Sequence, residues 1–275
     1  MHFFRTFLLF CLISLGSATV FAQDIARLIN EIAYEGVTMY KMDQLVQNSA
    51  DYIYDQADMS RLRGYVSFKE GETFHCIYWN GAYDNLEVIH HFSTDEPERP
   101  ELMRAENKKR PLTDLEQKYY DMKMQAITYI RGEPDFFSVP NGLRLNIYFV
   151  TTREGIKGYV MPTTTQEDLI PLGNDYVFLF DKNGELQGYD HIHKQYTEIE
   201  TSKMKSDPGG EIQTVQSIGN SAVPHITPTE ICNLLIYSPQ PEVHEHYVIS
   251  DRFVSIFSLK ERSLVIVANP NEPKN

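Results

Sequence analysis

From Gly142 onward the apolar residues of this chain recur at every second position, and that spacing commits the second half to strands. Leu143, Leu145, Ile147 and Phe149 alternate with Arg144, Asn146 and Tyr148. Successive side chains of an extended strand point to opposite faces, so the pattern predicts a half-buried strand. Residues 157–161 read as its neighbour. Residues 176–180 and 185–196 flank Asn183-Gly184, which predicts a hairpin with a type I′ turn. Residues 247–250, 253–259 and 264–268 close the sheet. Hairpins join antiparallel strands, and no β-α-β alternation is evident. The expected fold is therefore α+β, a mostly antiparallel sheet packed against helices, drawn largely from residues 142–268.

The first half reads differently. Ile25, Leu28, Ile32, Met39, Met42, Val46 and Ile53 recur near the helical period, which predicts a long N-terminal helix over 24–59. Gly36 falls on the same face and marks a kink or a close approach. Short strands follow at 64–69 and 72–79, around the turn signal Glu70-Gly71, with a third at 86–92. Residues 93–112 are charged, carry Pro97, Pro100 and Pro111, and read as a surface loop or a seam. Thr113 and Glu116 form a capping box for a helix over 114–131, which Gly132 and Pro134 end. This helix is expected to cover one face of the sheet. Residues 201–210 read as a polar loop and Pro228–Tyr237 as a short helix.

Residues 1–22 have the three parts of a secretory signal: Arg5, an apolar run over 7–15, and Val20-Phe21-Ala22 before the expected cut. The apolar run is shorter than the 20 or so residues that a membrane span needs. No other stretch is apolar enough to span, so no transmembrane segment is expected in the mature chain. The organisation expected is a leader over 1–22, an N-terminal helix and small β region over 23–112, an α+β main region over 113–268, and a disordered tail over 269–275. The location is periplasmic or secreted. The net charge of −13 becomes one unit more negative once Arg5 leaves, and such a surface repels phosphate backbones, so nucleic acid is not an expected partner. Cys76 and Cys232 remain after cleavage. Export permits a disulfide, but both lie in apolar runs, and two buried free thiols are expected.

Two histidine pairs, His191/His193 and His244/His246, have the H-x-H spacing. On an extended strand both rings of a pair share a face and can share a metal, or they line a solvated face. Gly-rich phosphate loops, G-x-S-x-G elbows and C-x-x-C pairs are absent from the sequence.

Residues 173–176 (GNDY), 180–183 (FDKN), His193-Lys194, 226–232 (ITPTEIC) and 247–257 (YVISDRFVSIF) resemble an uncharacterised group of exported proteins from Bacteroidetes-type bacteria. In that group the segment before the short helix is similar to the metal motif of JAMM-type (MPN-domain) zinc proteases. There two histidines and an aspartate hold zinc, a serine supports the site and a distant glutamate activates water. The resemblance is degenerate in this chain. Gln216 and Ile218 stand where the histidines would fall, and Thr227 and Glu230 where serine and aspartate would. Thr227 and Glu230 also form a capping box with Pro228 at the first helical position. The expected function is a non-catalytic exported binding or accessory protein with a protein or glycan ligand. The alternative is a zinc-dependent hydrolase with ligands drawn from His191, His193, His225 and Glu230.

Overall fold

The computed structural model describes residues 2–56, 62–81, 85–201, 212–219, 222–238 and 243–271, with side chains described from residue 24 onward. The expected helix end at Met59, most of the loop over 201–210 and most of the tail lie outside these residues. Within them the chain forms α-helices and four-stranded sheets rich in antiparallel pairs, an α+β arrangement. No helix among the described residues is long and apolar enough to cross a membrane.

The first helix, α1 (His2–Gln56), includes the leader stretch. Its buried face is the one the helical period marks, with Ile32, Met39, Met42, Val46 and Ile53 all buried. Gly36 serves a close approach. A Cβ at that position would stand 2.6 Å from Ile231 Cγ2 and 2.9 Å from the Pro228 carbonyl oxygen. Only a hydrogen side chain lets α1 cross the later helix at that distance.

The first sheet pairs β1 (Gly64–Glu70), β2 (Thr73–Asn80), β3 (Glu87–Thr94) and β4 (Arg104–Glu106) in that order, all antiparallel. The segment expected as a loop thus holds a short edge strand, β4. All three residues of β4 are exposed, so it carries no apolar alternation to read. Charged, short edge strands of this kind protect a sheet from further pairing.

The helix α2 (Asp114–Gly132) starts at the expected capping box, and Arg110 forks both oxygens of Glu116 at 2.6 and 2.7 Å. It covers one face of the second sheet, β5 (Arg144–Thr151), β6 (Ile156–Thr163), β7 (Leu169–Phe180) and β8 (Leu186–Glu200). Tyr119, Met122 and Ala126 join one apolar cluster with Ile147, Phe149, Val160 and Phe178. The opposite face is also covered. There Tyr148, Val150, Tyr159 and Met161 share a cluster with Met39, Met42 and Leu45 of α1. Tyr148, expected on a polar face, is therefore fully buried, and β5 is buried on both sides. Both clusters draw on residues either side of 112.

The β7–β8 hairpin forms, but not around a type I′ turn. Gly184 has a positive φ of 92° and Asn183 does not. Asp181 Oδ1 accepts from the Asn183 and Glu185 backbone N–H groups at 2.8 and 2.9 Å. That side chain holds a three-residue turn in which only the glycine needs the left-handed region.

The third sheet has the order β12-β11-β10-β9, from β9 (Ile212–Gly219), β10 (Val243–Ser250), β11 (Phe253–Ser258) and β12 (Ser263–Ala268). Strands β9 and β10 are parallel and are joined through α3 (Pro228–Tyr237). This β-α-β unit was not expected from the sequence, and the residues over 142–268 form two sheets rather than one. Cys76 and Cys232 are free and buried, as expected, and burial pushes the Cys76 thiol up to about 12.

Candidate functional site

Of the four candidate ligands, the fold brings His193 and Glu230 together. The cause of their separation from His191 is a bulge in β8. Asp175 of β7 pairs with His193, while the next residue, Tyr176, pairs with His191, so Ile192 is the extra residue. A bulge shifts the alternation by one, and the two histidines of the H-x-H pair fall on opposite faces. His191 packs at a tilt against Phe136 and Tyr176, with ring centroids 4.4 and 4.6 Å apart, on the α2 side. His193 points toward α3.

There His193 meets Asp175, which sequence reading missed. Asp175 Oδ1 accepts from both the backbone N–H and Nδ1 of His193, each at 2.9 Å. Its Oδ2 accepts from the Thr229 hydroxyl in the first turn of α3. Glu230 caps the same helix. Its Oε2 accepts from the Thr227 backbone N–H at 2.8 Å and from the Thr227 hydroxyl at 3.1 Å, and its Oε1 stands 4.0 Å from His193 Nε2. Asp175 and Glu230 are buried, and the His193 side chain is 13% exposed. Burial pushes the imidazole pKa down, but the hydrogen bond and charge of Asp175 and the charge of Glu230 outweigh it and raise it to about 9. His193 is a cation held between two carboxylates. Burial raises the Glu230 pKa in spite of that cation.

Of the four candidate zinc ligands, two stand at one place, His193 and Glu230. A catalytic zinc site takes three protein donors and leaves one position open. His193 Nδ1 bonds to Asp175 and Glu230 Oε2 to the helix cap, while His193 Nε2 is buried without a hydrogen-bond partner among the described residues. His225 turns Nδ1 to the Ile226 carbonyl oxygen at 3.0 Å. No group of three His, Cys, Asp or Glu side chains among the described residues has an arrangement that holds a metal. The second H-x-H pair behaves in another way. His246 is buried in β10 and shares a 2.7 Å hydrogen bond with Thr214 of β9. Burial alone lowers its pKa to about 4, so it is neutral.

A wide cleft lies elsewhere. With a volume of about 850 Å³, it separates the middle of α1, from Arg27 to Glu35, from the turn between β5 and β6. Tyr34, 48% exposed, stands on one wall, and Thr151, Thr152 and Arg153 line the other. Glu35 forms a buried floor. Lys157 Nζ reaches its two oxygens at 2.8 and 3.2 Å, and the Tyr159 hydroxyl donates to it. Sequence reading missed Glu35 and Lys157, since a helix residue and a strand residue 122 positions apart carry no local signal. Glu35 stands one residue before Gly36, and the approach of α3 there is what buries that turn.

No family model, curated protein or solved structure matches the chain.

Proposed function

We propose that this chain is an exported, non-catalytic binding protein that holds a glycan in the cleft between α1 and the β5–β6 turn. The observation that carries the reading is the pairing of a half-exposed aromatic ring with a polar wall in this cleft. A sugar presents an apolar ring face and a fringe of hydroxyls. Tyr34 offers a flat surface to the face, while Asn30, Thr152 and Arg153 offer donors and acceptors to the hydroxyls. The charges in the cleft are largely matched. Lys157 is paired with Glu35, and Arg27 lies 3.8 Å from Glu31. A neutral polar ligand suits such a wall better than an ion.

Two features support a role without catalysis. Glu35 is bonded by Lys157 and Tyr159, and the carboxylates of Asp175 and Glu230 bond to the start of α3. Export rests on the leader-like residues 1–22. Kinship with the exported Bacteroidetes-type group remains part of this proposal, carried by the residue resemblances alone.

The test uses untagged protein beginning at Gln23, titrated by NMR with cello-, chito- and malto-oligosaccharides. Saturable binding to at least one series is expected, weakened about tenfold (about 1.4 kcal/mol) by Tyr34→Ala. No release of reducing ends and no stoichiometric zinc after dialysis against the metal are expected. Absence of binding to every series, or turnover of a bound oligosaccharide, would overturn the reading. Zinc-dependent peptide hydrolysis lost in His193→Gln would restore the hydrolase alternative.

A further inference from the structure

A second cavity, of about 280 Å³, lies where α1, β5 and the end of α3 meet. At its inner end is Asp43, a carboxylate only 4% exposed in the middle of α1. The hydrogen bonds around it run in one direction. Tyr65 donates to Asn146 Oδ1 at 3.0 Å, Asn146 Nδ2 donates to the Tyr148 hydroxyl at 2.7 Å, and that hydroxyl donates to Asp43 Oδ1 at 2.7 Å. Each donor in this line is spent on the next group. The line ends at Asp43, whose Oδ2 is buried and has no partner at hydrogen-bonding distance among the described residues, although the Gln47 amide in the same wall lies near enough to help lower its pKa. A buried acceptor left without a donor is costly, and native proteins fill such positions with a partner.

The walls define what that partner is. Tyr65 and Tyr237 supply aromatic surface, and the three threonines 163–165 supply neutral polar groups. The one cationic side chain lining the cavity among the described residues is Arg144, which is exposed. We propose that this cavity binds a small molecule through a primary ammonium group on Asp43, with an anionic end toward Arg144, the chemistry of a free amino acid. An ammonium supplies the missing N–H donors and the missing positive charge together, and aromatic faces favour cations. Burial raises the Asp43 pKa, with the Tyr148 and Gln47 side chains opposing. The cavity has about 280 Å³ against about 850 Å³ for the cleft over Glu35, and the two share no lining residue. The site is thus separate from the cleft over Glu35, and the inference does not rest on the glycan reading.

The experiment is isothermal titration of the whole mature protein at pH 7 with three probes: L-alanine, ethylammonium and propionate. Saturable binding of L-alanine is expected, with ethylammonium weaker and propionate silent. Asp43→Asn keeps an acceptor for Tyr148 and is expected to weaken L-alanine at least about tenfold. Arg144→Ala, at an exposed position, is expected to bring L-alanine down to the level of ethylammonium. The wild-type ranking does not depend on whether the Asp43 variant folds. Silence of both ammonium probes to tens of millimolar, propionate binding as well as L-alanine, or unchanged affinity in a folded Asp43→Asn protein would each overturn the proposal. A silent wild type would mean that a proton or a water completes Asp43.

Discussion

His193 and His246 are each the second histidine of an H-x-H pair, each lies on a strand, and each is shielded from water, yet their chemistry is opposite. His193 stands between two carboxylates and is a cation, with a pKa raised to about 9. His246 has a threonine hydroxyl for company and is neutral, with a pKa lowered to about 4. Burial pushes both imidazoles the same way. The difference lies in what the neighbouring strand supplies: an aspartate at the β7 position opposite His193, and a threonine at the β9 position opposite His246. Burial alone does not decide a histidine's charge. A charge-assisted hydrogen bond reverses the desolvation penalty, and a neutral one does not.

The largest effect is expected from removing that aspartate. Asp175→Asn keeps the volume and removes the charge, so the histidine cation is left with Glu230 alone at 4.0 Å. Breaking a buried ion pair from one side costs about 3–5 kcal/mol. A loss at the lower end of that range is expected in urea unfolding at pH 6, because Glu230 remains. The His193 pKa, read from its imidazole shifts, is expected to fall well below 9. A variant with the wild-type midpoint and an unmoved titration would dissolve the contrast between the two sites.

The same contrast predicts opposite pH windows. The folded-state pKa of His193 lies above its unfolded value near 6.5, so its contribution is fully present below pH 6.5 and is lost as pH rises through 9. The folded-state pKa of His246 lies below the unfolded value, so its contribution is present above pH 6.5 and is lost as pH falls through 4. Each shift corresponds to about 3 kcal/mol, an order-of-magnitude figure from 1.36 kcal/mol per unit. Unfolding free energies measured from pH 4 to pH 10 are expected to lose their alkaline slope in His193→Gln and part of their acid slope in His246→Gln. The same slope lost in both variants would contradict the assignment.

How much of this was legible in the sequence depends on how local each cause is. The two capping boxes, Thr113/Glu116 and Thr227/Glu230, were legible because a cap is set within four residues. The hairpin strands were legible because alternation and a turn signal adjoin. The separation of His191 from His193 was not, because the bulge at Ile192 arises from pairing with β7 and leaves no mark on β8 itself. The β9–α3–β10 unit was missed for a related reason. Ile212, Val215 and Ile218 recur every third residue in β9, which hides a strand whose partner lies beyond the helix. Asp175 and its neighbour Asn174 are two polar residues in a strand with nearly every position buried, and nothing adjacent in sequence names the partner of Asp175 on β8. Glu230 was read both as a cap and as a candidate ligand. The structure gives it the cap, and the cation beside it comes from β8.

The smallest effect is expected where the neutral histidine loses its neutral partner. Thr214→Val replaces the hydroxyl by a methyl of nearly the same volume, so it changes the hydrogen bond to His246 Nδ1 more than the packing. His246 Nε2 already lacks a partner among the described residues, so the ring would then be buried with neither nitrogen satisfied. A net neutral hydrogen bond is worth about 1 kcal/mol, and the unpaired nitrogen adds to the loss. For a domain of this size that lowers the melting temperature by about 2–4 °C per kcal/mol. Because no charge is exposed or removed, the loss is expected to be the same at pH 6 and pH 8, whereas the loss in Asp175→Asn is expected to shrink as pH passes 9 and His193 gives up its proton. Calorimetry of both variants across that range separates the two cases. A Thr214→Val penalty as large as that of Asp175→Asn would show that shape, and not charge, distinguishes the two histidines.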